Sequence, residues 1–396
     1  MRLRLALARI TKIVVAVFAA ALVAVSVLLF AMWREHVTPV SLPEPTGAFA
    51  VGRTQFAWAN PGGEELAVWA WYPAARSNRD APADYLPPPW RQALRDHQAM
   101  LMRSFFKHDP QAVRTHSRSG AVLASDLPAY PLVILRAGGS ALTTDFTTLA
   151  EDLASHGYIV VGFDAPQRSF VIVRSDGRAI GRAPGNNVEN ANGNLDDPLV
   201  GKLHAMWTAD ARFLVNRLQQ LNADSSETLN GRIDFDRVAM VGHSFGGATA
   251  LQFCHEDPRC RAAIDLDGIP FGSVVTDGLA KPAMFVLSDH SREMSDPASR
   301  RVLAEIQGIY DRLPKPRMYA TIRTANHFSF SDQSLLNSQS ATAMLRVIGF
   351  GALDARRGLA ISTEYVRTFL DVTLNGTPTA ALTRLSQRYP EVTGEY

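Results

Sequence analysis

Residues 237–253 read RVAMVGHSFGGATALQF, and this stretch restricts the fold more than any other part of the chain. A β-rich run ends at Gly242, Ser244 follows, and Gly246-Gly247 opens a helix rich in Ala and Leu. This is the G-x-S-x-G pattern in the setting its chemistry needs, a strand, a tight turn and a helix. A serine on such a turn sits on strained backbone, so its flanking positions Gly242 and Gly246 must carry no side chain that collides. The helix starting there points free amides and the positive end of its dipole at the hydroxyl.

The rest of the chain supplies a sheet to hold that turn. Short apolar runs at Pro131–Leu135, Tyr158–Phe163, Arg237–Val241, Ala262–Leu266, Ala283–Leu287 and Arg317–Ile322 suit buried parallel strands. Helical patterns at Thr144–His156, Leu203–Leu221, Gly246–His255 and Ser299–Arg312 separate them. The alternation predicts an α/β fold with a mostly parallel, doubly wound sheet. Thr54–Trp58 and Leu66–Tyr72 read as a strand pair across the turn Asn60-Pro61-Gly62-Gly63. Residues 76–128 read as irregular, with an amphipathic stretch around Arg91–Phe106. The polar, Asn-rich residues 182–200 read as an excursion rather than a lid, and they lack the spacing of a calcium loop.

A serine hydroxyl is a weak nucleophile until a base takes its proton. His327, in TIRTANHFSF beyond the last strand-like run, stands where the order Ser, acid, His expects that base. His243 adjoins the serine and should turn into packing, while His290 comes early for the usual base position. For the acid, Asp267 at the end of AAIDLDG and Asp289 at the end of AMFVLSDH are equally placed. Asp265, deeper in the first of these strands, needs a partner if it is buried. Acyl transfer also needs donors aimed at the developing oxyanion. The amide of Phe245 and that of Gly139, in the loop Arg136-Ala137-Gly138-Gly139-Ser140, are the candidates. The two cysteines, Cys254 and Cys260, lack the further ligands of a zinc site and are open to either a short bridge or two buried thiols. No metal or other cofactor is expected.

The N-terminus adds a second constraint. Residues 13–33 form a run of 21 without a charge, preceded by Arg2, Arg4, Arg9 and Lys12. About 20 helical residues span a bilayer, and a cleavable signal has a shorter core of roughly 7–15. The length favours an uncleaved signal anchor over a secreted product, and the basic tail at 1–12 places the N-terminus in the cytoplasm. Residues 34–46, with Pro39, Pro43 and Pro45, read as a stiff linker, and 47–396 as one extracytoplasmic catalytic domain. Of the net +2, five positive charges precede Glu35, so everything after residue 34 is net −3. That balance speaks against a nucleic-acid partner.

At this level the chain resembles a known family. PLVILRAGGSALTTDFTTLAEDLASHGYIVVGFDAPQRS, GHSFGGATA, the LDG at 266–268 and TIRTANHFSFSD together resemble the plasma-type platelet-activating factor acetylhydrolases. TGAFAVGRTQF and LAVWAWYPA resemble that family's opening strands, and the likeness runs discontinuously over 46–335. It implies an α/β-hydrolase that releases short or oxidised acyl chains from phospholipids without a metal. It also implies Ser244, Asp267 and His327 as the triad, with Gly139 and Phe245 giving the oxyanion amides. One departure stands out: the family's usual His-Gly in the oxyanion loop is Ala137-Gly138 here. The expectation is a membrane-anchored carboxylic ester hydrolase acting on a lipid-like ester. Its rivals are a short-chain esterase or polyesterase using Asp289, an amidase with the same triad, and a silent hydrolase-like binding module.

Overall fold

A computed structural model describes residues 2–77, 80–139, 141–191, 197–225, 229–291, 293–347 and 353–395. The strands are β1 (Val40–Ser41), β2 (Ala50–Ala59), β3 (Glu65–Ala74), β4 (Pro82–Asp84), β5 (Val113–Ser119), β6 (Tyr130–Arg136) and β7 (Ile159–Asp164). They continue with β8 (Val171–Val173), β9 (Ala179–Gly181), β10 (Ile233–His243), β11 (Cys260–Leu266), β12 (Ala283–Leu287), β13 (Met318–Ile322) and β14 (Val392–Glu395). Except for the β8–β9 hairpin they form one sheet, in the order β1-β5-β2-β3-β7-β6-β10-β11-β12-β13-β14, with β4 on β5.

From β7 to β13 every neighbouring pair is parallel, while β2–β3, β3–β7 and β13–β14 are antiparallel. Every residue of β6, β7 and β12 is buried, which is why these segments are continuous apolar runs rather than alternating ones. The helices are α1 (Arg2–Val37), α2 (Pro88–His97), α3 (Thr147–Ser155), α4 (Pro198–Ala223), α5 (Phe245–Glu256) and α6 (Ser273–Asp277). After them come α7 (Pro297–Arg312), α8 (Gln333–Leu336), α9 (Gln339–Val347), α10 (Ala355–Leu374) and α11 (Ala380–Arg388). One core holds Leu214, Leu218, Leu251, Phe253 and Ile309 of α4, α5 and α7. The other holds Leu149 and Leu153 of α3 with Tyr365, Phe369 and Leu370 of α10. The sheet is therefore covered on both faces, as its apolar strands require.

The chain goes from β6 out to β7, then returns past β6 to β10 on its other side. The loops leaving β6 and β10 part at this reversal, and in doubly wound sheets such a point opens the ligand crevice.

Two sequence expectations give way. Residues 76–128 are not irregular throughout, because they hold α2, β4 and β5, and β5 joins the sheet between β1 and β2. Its sequence, VRTHSRS, is too polar to read as a strand, and pairing to β2 and β1 supplies what propensity lacks. The expected linker is also partly built in: residues 34–37 continue α1, and Val40–Ser41 pair with β5. Within α1, Arg9–Val37 is long and apolar enough to cross a membrane, and Ile13, Val14, Phe18 and Leu22 stand exposed on it.

Candidate active site

Ser244 sits between β10 and α5 with φ 56° and ψ −127°, a backbone region that costs a non-glycine residue free energy. Its amide donates to the Leu266 carbonyl at 2.9 Å, tying the turn to the end of β11. A Cβ on Gly242 would run into the carbonyl of Gly246, and one on Gly246 into the carbonyl of Arg136. The turn exists only because both positions are bare. Phe245 is the first residue of α5, where amides lack an acceptor within the helix.

Ser244, Phe245, Asp267, His290 and His327 line one cavity of about 430 Å³. Its other walls are largely apolar, including Val200, Ile269, Phe271, Leu287, Val302 and Ile306. Val188 and Ala191 also line it. The segment expected to be a mere excursion thus walls the cavity through its short turn at Val188–Ala191, which packs against α4. Residues 192–196 of that segment lie outside the described residues.

Position along the chain left two acids open and the family resemblance implied Asp267; the structure brings Asp267 to His327. The imidazole Nδ1–H donates to Asp267 Oδ2 at 2.8 Å. Asp289 accepts from backbone amides instead, that of Ser291 at 3.1 Å and that of Thr324 at 2.8 Å. Three further donors converge on the buried Asp267 carboxylate. Ser288 gives its amide at 2.7 Å and its hydroxyl at 2.8 Å, and His290 Nε2 gives a third bond at 3.0 Å. Burial alone would raise this carboxyl, but His290 and His327 outweigh it and hold the group well below the usual carboxylate range. Asp267 has φ 55°, a second strained backbone beside Ser244. The Ser244 hydroxyl makes no hydrogen bond among the described residues, so its approach to His327 is through the shared cavity rather than through a formed bond.

Sequence reasoning weighed His290 only as a rival base, and missed Ser288 and Glu293. His290 donates from Nδ1 to Glu293 at 2.8 Å while Nε2 faces Asp267. With both ring nitrogens donating to carboxylates the ring is an imidazolium, and its pKa is raised to about 9, chiefly by the bond to Asp267. No spacing motif announces this group. It becomes visible only because β12 lies beside β11, so the residues leaving β12 meet the end of its neighbour.

His243 turns into the core between Phe146, Phe330 and His327. Burial and the neighbouring His327 lower its pKa to about 3, so the neutral ring donates from Nε2 to the His327 carbonyl at 2.7 Å. Asp265 is buried and raised well above the ordinary value by that burial, and it finds its partner in the Gly268 amide at 2.8 Å. Gly139 follows β6 with its carbonyl held by Arg182 at 2.9 Å, while Ser140 lies outside the described residues. Beneath this loop Arg136 is fully buried, its guanidinium 3.7 Å from the centre of the Trp207 ring. Cys254 and Cys260 are joined by a disulfide between the end of α5 and the start of β11. Among the described residues no group of three or more His, Cys, Asp or Glu side chains is placed to hold a metal.

A doubly wound parallel sheet with a strained Ser elbow after its central strand and a His loop after a later one defines the α/β-hydrolase class. Within it, the family platelet-activating factor acetylhydrolase, isoform II, matches residues 36–175 and 214–377, and the chain belongs to that family. A platelet-activating factor acetylhydrolase of Cavia porcellus is 27% identical over 56% of this chain and 52% of its own length. Another, of Bos taurus, is 27% identical over 66% of this chain and 59% of its own length. The chain thus matches between half and three-fifths of these relatives. A ferulic acid esterase from Streptomyces cinnamoneus has the same fold at 27% identity and TM-score 0.70, over 90% of this chain and 99% of the esterase.

Proposed function

We propose that the chain is a serine hydrolase of carboxylic esters, with Ser244 as nucleophile, His327 as base and Asp267 as the acid that orients it. The observation carrying this reading is the 2.8 Å bond from His327 to Asp267 on the wall of the cavity that also holds the Ser244 elbow. Asp267 keeps the proton on Nδ1, which leaves Nε2 free to accept.

In the reaction, Ser244 Oγ attacks the ester carbonyl as its proton passes to His327 Nε2. The carbonyl oxygen becomes an oxyanion, which the amides of Gly139 and Phe245 receive. Collapse breaks the bond to the alcohol, which leaves with the proton from His327, and the acyl group stays on Ser244. Water then gives a proton to His327 and attacks the acyl carbon. Cleavage of the ester to Ser244 releases the carboxylic acid and returns the proton to the serine. Because the donors are main-chain amides, Ala137-Gly138 in place of the family's His-Gly alters loop shape and leaves this chemistry possible.

The apolar walls suit a short acyl chain on a lipophilic alcohol, and the relatives named as acetylhydrolases point to a short-acyl, phospholipid-like ester. A broader short-chain esterase is the second reading, favoured by the likeness to an esterase named for ferulic acid. α1 serves as a signal anchor with the domain of residues 47–396 outside the cytoplasm, and a cleaved signal is the alternative. A fluorophosphonate probe should label Ser244 in the purified chain. A panel of p-nitrophenyl esters and sn-2 short-chain phospholipids should show turnover falling as the acyl chain lengthens. A folded protein that never labels at Ser244 would instead be a silent binding module.

A further inference from the structure

A second cavity, of about 520 Å³, shares no lining residue with the one at Ser244. It lies where α1 meets the body, between His36 of α1, Arg91 and Arg95 of α2, and Arg103 and Lys107 of the segment that follows. We propose that this cavity binds the phosphate of an anionic phospholipid head group from the bilayer that α1 enters. The inference rests on the reading of α1 as a membrane span.

Charge is the first support. Four permanent cations line the cavity, Arg91, Arg95, Arg103 and Lys107, against two carboxylates, Asp109 and Asp145. Both carboxylates are engaged in the fold. Asp109 accepts from the Gln111 amide at 2.9 Å, and Asp145 from the Leu142 amide at 2.9 Å and the Gln333 side chain at 2.8 Å. Of these four cations only Arg91 is paired with a carboxylate among the described residues, Asp84 at 3.4 Å. Arg95 donates to the neutral Gln92 side chain and Arg103 to the Arg95 carbonyl, each at 2.8 Å, so neither charge is neutralised. Arg103 and Lys107 are half-buried, and a partly desolvated cation without an opposite charge is costly until an anion meets it. The body after residue 34 is net −3, so this is a local positive site and not part of a general basic surface.

Position is the second support. His36 Nδ1 donates to the Lys107 carbonyl at 2.7 Å, which fastens the basic segment to the last turn of α1. A helix that spans the hydrocarbon ends in the phosphate layer, which puts lipid phosphates within reach of basic side chains at that end. Met100, Leu101, Met102 and Phe106 are exposed on the same segment and would meet the acyl side of that layer. A lipid offers both groups together, whereas free phosphate offers only the charge. Guanidinium forks match phosphate oxygens in pairs, so a phosphodiester fits the donors present.

The test uses the full chain in dodecyl maltoside micelles and follows its Tm as dioleoylphosphatidylglycerol, dioleoylphosphatidylcholine or sodium phosphate is added. Phosphatidylglycerol should raise Tm saturably by about 3 °C or more, and the other two should not. In Arg103→Gln/Lys107→Gln the same rise should need at least about fivefold more lipid, while hydrolysis of a soluble ester stays within about twofold of the parent. Equal responses of parent and variant overturn the site. An equal effect of phosphatidylcholine removes the charge argument, and an equal effect of millimolar phosphate reassigns the ligand to a free anion. Alkaline carbonate washing of membranes tests α1 separately. A chain that washes off has no spanning helix, whatever the micelle titration shows.

Discussion

The two cavities handle charge in opposite ways. At Ser244 the ionised groups are matched in advance: Asp267 receives four hydrogen bonds, and His290 donates to a carboxylate from each ring nitrogen. Around that fixed arrangement the walls are apolar, so a charge developing on a bound group would be poorly screened. At the end of α1, half-buried Arg103 and Lys107 pair with no carboxylate among the described residues, and the cavity suits a charge that is permanent. On the proposed readings the first site serves a transition state and the second a resident anion.

The largest expected effect separates the two completely. Ser244→Ala should lower hydrolysis of p-nitrophenyl acetate by about 10⁴-fold or more and leave the phosphatidylglycerol titration unchanged. Loss of both together would mean that the cavities are coupled. Next comes Asp267→Asn, which should cost about 10³- to 10⁴-fold in kcat, because the ring of His327 is then held in the wrong tautomer. Asp289→Asn should cost no more than about fivefold, since that side chain holds backbone amides at the loop end. The reverse ranking, in steady-state kinetics on the same ester, would hand the acid to Asp289.

A smaller effect is expected at His290. Its pKa in the fold, about 9, lies above the ordinary 6.5, so its contribution to stability is complete below pH 6.5 and fades as pH rises through about 9. The Tm of the parent should therefore fall towards that of His290→Gln across this window. Parallel Tm curves from pH 6 to 10 would show that the ring is not charged in the fold. The smallest effect belongs to Glu35→Gln. Glu35 accepts from the Ser338 hydroxyl at 2.6 Å, the Ser340 hydroxyl at 2.6 Å and the Ser340 amide at 3.0 Å, which holds the end of α1 to α9. An amide keeps part of this network, so chemical denaturation should show a loss of about 1 kcal/mol.

The readable parts of this protein are those whose cause is local. Gly242, Ser244 and Gly246 are legible because a strained turn admits few residues, and β6, β7, β10, β11, β12 and β13 because a two-faced sheet demands apolar runs. β5 was hidden because its polar residues pair at the sheet's edge region, where neighbours rather than propensity make the strand. The wall formed by Val188 and Ala191 was hidden for a similar reason: a polar loop without periodicity says nothing about where it lands.

Sequence alone determined where the chain turns sharply, where it alternates strand with helix, and that its first long helix is apolar enough to cross a membrane. These follow from backbone strain, periodicity and the cost of hydrating apolar surface, all of which act on neighbouring residues. Only the tertiary structure decided that His290 shares the Asp267 carboxylate with His327, and that Arg103 and Lys107 gather beside α1. Those facts depend on which strand lies next to which, as when the Asp267 amide bonds the Val286 carbonyl at 2.9 Å. No local pattern encodes such neighbours, because strand order is settled by the packing of the whole sheet.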